Sequence, residues 1–147
     1  MADRKSGNLE LTTFKIGTAI YGMDILKVQE INKLMDMTTV PQAGRYIRGI
    51  LNLRGQIVTV IDLACKLGLE PIAVTPASRN IILISKDEYF GLLVDGIGDV
   101  VRTDWEQVEA APANLGGVLG GFFEGVVKTE RHLIGILNTD AVLSVEE

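Results

Sequence analysis

The chain has 147 residues, 47% of them hydrophobic, which is enough apolar surface for the core of one domain or of two very small ones. Its 19 acidic and 14 basic residues give a net charge of −5 at pH 7, so bulk charge does not favour nucleic acid as a partner. A single cysteine and a single histidine exclude an intrachain disulfide and a zinc site of Cys and His ligands.

The N-terminal residues 1–8 are mostly polar, which predicts a flexible tail rather than a secretion signal. No apolar run approaches the ~18 residues that would span a bilayer. A lone cysteine also suits a reducing compartment. We therefore expect a cytoplasmic protein with no membrane-inserted segment.

Sixteen glycines and many short runs of Val, Ile, Leu and Phe predict an all-β protein. Pairs of these runs flank turn residues at four places, which predicts four β-hairpins. In chain order these are Thr12–Ile16 with Ala19–Met23 around Gly17-Thr18, Ile50–Arg54 with Ile57–Ile61 around Gly55-Gln56, Asn80–Ser85 with Tyr89–Val94 around Lys86-Asp87-Glu88, and Val126–Lys128 with Leu133–Leu137 around Thr129-Glu130-Arg131.

Two short helices are predicted, one after the second hairpin and one after the fourth. Asp62 and Asn138 are good N-caps because a short side-chain oxygen can accept a free amide hydrogen of the first helical turn. The apolar stretches Leu63–Leu67 and Thr139–Leu143 follow these caps, and Gly68 suits the position just after a helix end. Each half of the chain is therefore expected to end in a strand, a cap and a short helix.

The two halves match each other, which indicates an internal repeat. At a shift of 69 or 76 residues, the equivalent segments include Tyr21-Gly22-Met23 with Phe90-Gly91-Leu92, Glu30 with Asp99, Gly49-Ile50-Leu51 with Gly125-Val126-Val127, and Asp62 with Asn138. A five-stranded antiparallel sheet loses its exposed edges by closing on itself. We therefore predict one barrel at residues 9–70, a proline-containing linker at 71–78, and a second barrel at 79–147 whose C-terminal helix can pack on the first barrel.

Residues suited to catalysis are few. His132 lies beside Arg131 at the start of a strand, where an exposed turn residue is expected. Cys65 lies on a short amphipathic helix, where a thiol is usually a small buried group. A Cys65–His132 nucleophile pair stays open but has no candidate for a third, orienting group. Gly96-Ile97-Gly98 lacks the third glycine of a dinucleotide-binding loop, so the sequence predicts no cofactor and no metal.

Glu30 and Arg54 are the charged residues with the most informative surroundings. If residues 28–31 form a strand, Glu30 shares a face with Val28, and a carboxylate stands beside an aliphatic side chain. Arg54 ends a strand just before a tight turn and is a reasonable ion-pair partner for Glu30. From the pattern alone, a solvated surface pair and a functional pair are both open.

A set of segments along the chain carries a resemblance to a known family. The segments are Tyr21 to Ile25, Val28 to Ile31, Val40 to Ala43, Tyr46 to Gly55, Val60 to Leu63, Gly91 to Asp95, and Ile97 to Val101. Together they resemble CheW, a family of bacterial chemotaxis coupling proteins, from about Leu9 to Leu143. The run Asn52-Leu53-Arg54-Gly55 before an aliphatic strand is a specific part of this likeness.

The resemblance implies two SH3-like five-stranded barrels and a protein that is not an enzyme. It also implies two partners, the cytoplasmic tip of a chemoreceptor and the regulatory domain of the histidine kinase CheA. For the receptor it implies an apolar groove between the barrels, with a charged rim, made by Ile25, Val28, Ile81, Ile97 and Val100 together with Glu30 and Arg54. For the kinase it implies contacts at Thr39, Val40, Tyr46, Arg48, Phe122 and Phe123.

Alternatives stay open at this point. Each aliphatic residue of the groove could instead fill a barrel interior, and the two phenylalanines could plug a core. Gly44 stands where the family commonly has proline, which leaves the conformation before Tyr46 open. The function classes are a chemosensory adaptor, a coupling module for another output such as surface motility, and a small enzyme. A chain of 147 residues does not hold the ATP-binding and histidine-containing domains of a kinase.

Overall fold

The structure is a computed structural model that describes residues 6–41 and 43–144. Most of these residues are in strands, so the all-β prediction is confirmed. The strands are β1 (Asn8–Ile16), β2 (Ala19–Asp24), β3 (Glu30–Lys33), β4 (Ile47–Leu53), β5 (Gln56–Asp62), β6 (Arg79–Ser85), β7 (Glu88–Val94), β8 (Gly96–Asp104), β9 (Asn114–Leu115), β10 (Val118–Leu119), β11 (Phe123–Lys128) and β12 (Leu133–Leu137). The α-helices are α1 (Leu63–Lys66) and α2 (Thr139–Leu143), and 3₁₀ turns span Ile25–Lys27, Trp105–Gln107 and Gly120–Phe122.

Ten of the strands form two five-stranded sheets with the same internal order. Sheet I runs β11-β12-β2-β1-β8, and sheet II runs β4-β5-β7-β6-β3. Under the sequence repeat, β11 corresponds to β4, β12 to β5, β2 to β7, β1 to β6 and β8 to β3. Each sheet also contains one parallel pair at the same place, β12 with β2 and β5 with β7. The sheet topology therefore agrees with the internal repeat.

The sheets do not follow the two sequence halves, which corrects the prediction of one barrel for each half. Sheet II is built from the continuous stretch 30–94, and sheet I combines the β1–β2 hairpin with β8, β11 and β12. The chain crosses between the sheets at residues 25–29 and again at Asp95. Residues 71–78 are consequently a loop within the sheet II unit, between α1 and β6. The repeat identifies equivalent strands but cannot say which copy pairs with which, because both hairpins carry the same apolar pattern.

The predicted hairpins and caps are present, and two of the turns differ from the prediction by one residue. The turn between β4 and β5 is Arg54-Gly55 rather than Gly55-Gln56, and the turn between β6 and β7 is Lys86-Asp87, without Glu88. All four turn residues have φ between 51° and 87°, as a type I′ turn requires. Both predicted N-caps are confirmed: the Asp62 carboxylate accepts from the Cys65 amide at 3.0 Å, and the Asn138 side chain accepts from the Ala141 amide at 3.1 Å.

One large apolar core joins the two sheets and both helices. It includes Tyr21 and Met23 of sheet I, Leu92 of sheet II, Leu63 of α1 and Val142 of α2. Because the core is continuous, the two units are packed together rather than strung on a linker. Of the predicted flexible tail, residues 1–5 lie outside the described residues, and Asn8 already belongs to β1. No helix in the described part of the chain has the length and hydropathy needed to cross a membrane.

Candidate functional site

The Glu30–Arg54 ion pair predicted from the sequence is formed. Glu30 is the first residue of β3, and its Oε2 contacts Arg54 Nη2 in the β4–β5 turn. β3 and β4 are the two edge strands of sheet II, so the contact brings the ends of the sheet together and closes it on one side. A bridge between Thr38 and Ile50 closes it further along, where a Cβ at Gly49 would lie only 2.7 Å from the Thr38 carbonyl oxygen.

Local chemistry holds both members of the pair in place. The Asn52 side chain accepts a hydrogen bond from the Gly55 amide at 2.8 Å, which fixes the turn that carries Arg54. On the other side, Asn32 Nδ2 donates to Glu30 Oε1 at 3.3 Å. Both carboxylate oxygens of Glu30 are thereby engaged. The Arg54 side chain is nevertheless 69% exposed and that of Glu30 is 32% exposed, so a partner can reach them.

The aliphatic residues predicted for the receptor groove fall into different environments. Ile25, Val28 and Ile97 are half-buried, and Val100 is 50% exposed. Ile81 is fully buried in the core, which corrects its assignment as a contact residue, since a side chain with no exposed surface touches no partner. For that residue, the alternative of a barrel-filling side chain is the right one.

Two surface depressions each contain one of these residues. Ile25 lines a depression with Leu26, Arg102 and Trp105, and Ile97 lines another with Lys15, Asp99 and His132. Leu26 was missed by the sequence analysis although it is 85% exposed. The only signal for it is a large apolar residue two positions after a capping aspartate, Asp24, whose side chain accepts from the Leu26 amide at 3.0 Å.

The residues predicted for the kinase contact also differ from one another in exposure and surroundings. Thr39 is exposed, and it lines a depression together with Arg48, Met35 and Val74. Val40 and Tyr46 are half-buried, and Lys66 Nζ lies 4.2 Å from the centroid of the Tyr46 ring.

Phe122 and Phe123 behave differently from each other. Phe122 is half-buried at the end of a 3₁₀ turn, whereas Phe123 is 7% exposed and stacks on Tyr21 with ring centroids 5.9 Å apart. Phe123 is therefore a core residue, which corrects its assignment as a direct contact. Leu119, 65% exposed, is the large apolar residue that this segment does present at its surface.

Arg48 is held in a buried polar network that the sequence analysis missed. Its Nη1 lies 2.9 Å from Asp62 Oδ2 and 3.0 Å from the Ile72 carbonyl oxygen. The Asp62 side chain is 1% exposed and also accepts from the amides of Ile72 and Cys65. The sequence offered Asp62 only as a helix cap, because the partners that complete the network lie 10 and 14 residues away. Arg48 ties α1 and the following loop to β4.

The residues suited to catalysis do not assemble. His132 is exposed in the turn between β11 and β12 of sheet I, and Cys65 is buried in α1, which follows a strand of sheet II. The part of the chain that the structure describes contains no group of three or more His, Cys, Asp or Glu residues placed to hold a metal ion.

Comparisons with known proteins give one consistent result. A family model described as a CheW-like domain matches residues 10–147. The chemotaxis protein CheW of Bacillus subtilis is 32% identical over 145 residues, covering 99% of this chain and 92% of the relative. The probable chemotaxis protein CheW of Rhizobium etli is 29% identical over 143 residues, covering 96% of this chain and 91% of the relative.

A solved structure agrees with the sequence matches. The crystal structure of the scaffolding protein TtCheW from Thermoanaerobacter tengcongensis aligns with a TM-score of 0.86 at 30% identity, covering 99% of this chain and 94% of that one. The resemblance carried by the segments around Glu30 and Arg54 is thus confirmed over the whole fold. From its two equivalent five-stranded sheets and these matches, we conclude that the chain belongs to the CheW family of chemotaxis scaffold proteins.

Proposed function

We propose that this chain is a non-catalytic adaptor that couples the cytoplasmic tips of chemoreceptors to the regulatory domain of the histidine kinase CheA. Membership of the CheW family supports the general scaffold role. The identity of the two partners and the residues that bind them are our inference. In this proposal the chain acts in the cytoplasm at membrane-associated receptor arrays and does not itself enter the bilayer.

The observation that carries the proposal is the exposed, oriented ion pair of Glu30 and Arg54. An exposed pair contributes only ~0–1 kcal/mol to folding, so stability alone does not explain why Asn32 and the turn hold it in one geometry. The half-buried Val28 precedes Glu30 on the same extended segment. An aliphatic surface with charges at its rim fits an amphipathic receptor helix, which presents an apolar stripe bordered by polar residues.

For the kinase, we propose a contact on the surface that includes Thr39 and Val40, with a second one near Phe122. Thr39 is exposed and the other two side chains are partly exposed. Tyr46 is half-buried, with Lys66 Nζ over its ring. A domain of the same fold could pack barrel against barrel on such a face.

A direct binding measurement with a matched control tests the receptor assignment. Glu30→Lys places a second positive charge beside Arg54, and we expect at least about a tenfold loss of affinity for a receptor cytoplasmic fragment. The control is Glu70→Lys, which makes the same change of charge, because Glu70 is exposed in the loop after α1 and lines neither depression that contains a predicted receptor residue. We expect the control to bind normally, and circular dichroism to give the same folded spectrum for both variants.

A charge swap separates a contact from a structural pair. Glu30→Arg combined with Arg54→Glu keeps an ion pair between the same positions but exchanges the charges shown to the partner. If the pair only stabilises the barrel, the swapped protein binds the receptor fragment normally, and the proposal for this face is wrong. We expect the swap to bind as poorly as Glu30→Lys.

A further inference from the structure

One polar side chain in the core has no hydrogen-bond partner. Asn80, in β6, is 0% exposed, and neither its Nδ2 nor its Oδ1 atom is bonded. The neighbouring strand makes room for this amide, because a Cβ at Gly91 would lie 2.6 Å from Asn80 Oδ1. A buried amide without partners is unfavourable, and native proteins keep few of them.

In the sheet, Asn80 is paired with a polar residue that holds Glu30 of the candidate receptor site. In the pairing of β3 with β6, Asn80 lies directly opposite Asn32. Directly opposed residues project to the same face, with Cβ atoms roughly 4.5–5.5 Å apart. Asn32 Nδ2 is bonded instead to Glu30 Oε1 at 3.3 Å, a long hydrogen bond. Asn32 therefore bonds to a surface carboxylate and is paired across the strands with a buried amide to which it is not bonded.

We propose that Asn32 is a positioning residue with two alternative partners, Glu30 in the free protein and Asn80 when a bound helix engages Glu30. This inference rests on the proposed function, since it assigns the partner's contact to Glu30. When a cationic or donor group of the partner takes the carboxylate, the bond from Asn32 is released. Asn32 then bonds to the unsatisfied Asn80, which offsets the loss. Asn80 thereby lowers the free-energy cost of releasing Glu30 from Asn32. It couples partner binding at Glu30 to the interior of sheet II.

A double-mutant cycle in urea unfolding tests the exchange without any receptor. In the wild-type background, Asn80→Val removes an unsatisfied amide, so we expect the unfolding equilibrium constant to fall about fivefold. In a Glu30→Ala background, Asn32 has already turned to Asn80, and Asn80→Val now breaks a hydrogen bond. We expect its stabilising effect to shrink by about fivefold or to reverse. The same effect of Asn80→Val in both backgrounds would overturn the proposal.

An Asn32→Ala background supplies the control. Without the Asn32 amide, the effects of Glu30→Ala and Asn80→Val should simply add. If Glu30→Ala and Asn80→Val stay coupled without the Asn32 amide, Asn32 does not carry the coupling, and its proposed role is wrong. Should the valine variant not fold, the side-chain amide resonances of Asn32 and Asn80 in Glu30→Ala give a second readout. Both should shift relative to the wild type, and unchanged resonances would contradict the exchange.

Receptor binding supplies the readout that links the exchange to function. We expect Asn80→Val to weaken binding of a receptor cytoplasmic fragment by about threefold to fivefold although it stabilises the fold. Unchanged binding would refute the coupling of Asn80 to the site. If the wild-type chain binds no receptor fragment, the proposed function fails, whereas the unfolding cycle still reports on the exchange.

Discussion

Replacing Arg48 by methionine tests whether this residue is a clamp or a contact. The change keeps most of the apolar stem of the side chain and removes the guanidinium. In the folded chain, that group donates to Asp62 Oδ2 at 2.9 Å and to the Ile72 carbonyl at 3.0 Å. We expect Arg48→Met to destabilise the protein, because a carboxylate that is 1% exposed loses its positive partner.

The structure sets the size of the effect. Removing one member of a fully buried ion pair costs about 3–5 kcal/mol. Here the Arg48 side chain is 30% exposed, so solvent screens the interaction, and the amides of Ile72 and Cys65 still donate to the carboxylate. We therefore expect a loss of about 2 kcal/mol in the free energy of unfolding.

Urea unfolding followed by circular dichroism measures this loss, with Arg54→Met as the matched control. Arg54 also forms an ion pair, but its side chain is 69% exposed. The control should lose no more than about 1 kcal/mol. A loss below about 0.5 kcal/mol for Arg48→Met, together with abolished kinase binding, would refute the reasoning and make Arg48 a contact residue.

Three further predictions concern pH, packing and the β4–β5 turn. Burial raises the pKa of Tyr21 above its usual 10.0. Above about pH 10 the unfolded chain therefore releases a proton that the folded chain keeps, and the free energy of unfolding falls as pH rises. Tyr21→Phe should remove that fall in urea titrations between about pH 8 and 11; an unchanged slope would assign it to other groups. Gly91→Ala should lower the free energy of unfolding by about 1–3 kcal/mol, because the added Cβ would clash with the Asn80 amide. Adding Asn80→Ala should restore thermal stability, and a double variant that stays destabilised would contradict this cause. Arg54→Asn should leave stability within about 1 kcal/mol, since asparagine tolerates the φ of 52° at this position, yet reduce receptor binding about tenfold; equal losses of both would make Arg54 structural.

Local features of the fold were predictable because they depend on neighbouring residues. The caps at Asp62 and Asn138 and the hairpin partners follow from the spacing of apolar and turn residues. The turn at Arg54 lies one residue before the predicted turn, because the sequence pattern favours glycine at the first turn position. A type I′ turn requires positive φ at both positions, and this turn places a non-glycine residue first.

Features that depend on contacts between distant segments could not be predicted from the sequence pattern. Nothing in the repeat indicates that the β1–β2 hairpin completes the sheet of the other half, because strand choice depends on packing between distant segments. The burial of Ile81 and Phe123 could not be separated from exposure, since aliphatic and aromatic residues serve both a core and an interface. Asn80 did offer a signal, a lone amide within an apolar strand, but its pairing with Asn32 needs the β3–β6 register.

In the proposed function, this protein transmits the state of the receptor to a kinase through its binding surfaces. Its most direct test is the autophosphorylation rate of CheA in reconstituted membranes containing a chemoreceptor, with and without this chain and with and without attractant. We predict that the chain makes kinase activity depend on attractant, and that Glu30→Lys removes this dependence while Glu70→Lys retains it. An autophosphorylation rate that does not change with attractant in the presence of the folded wild-type chain would contradict the proposal.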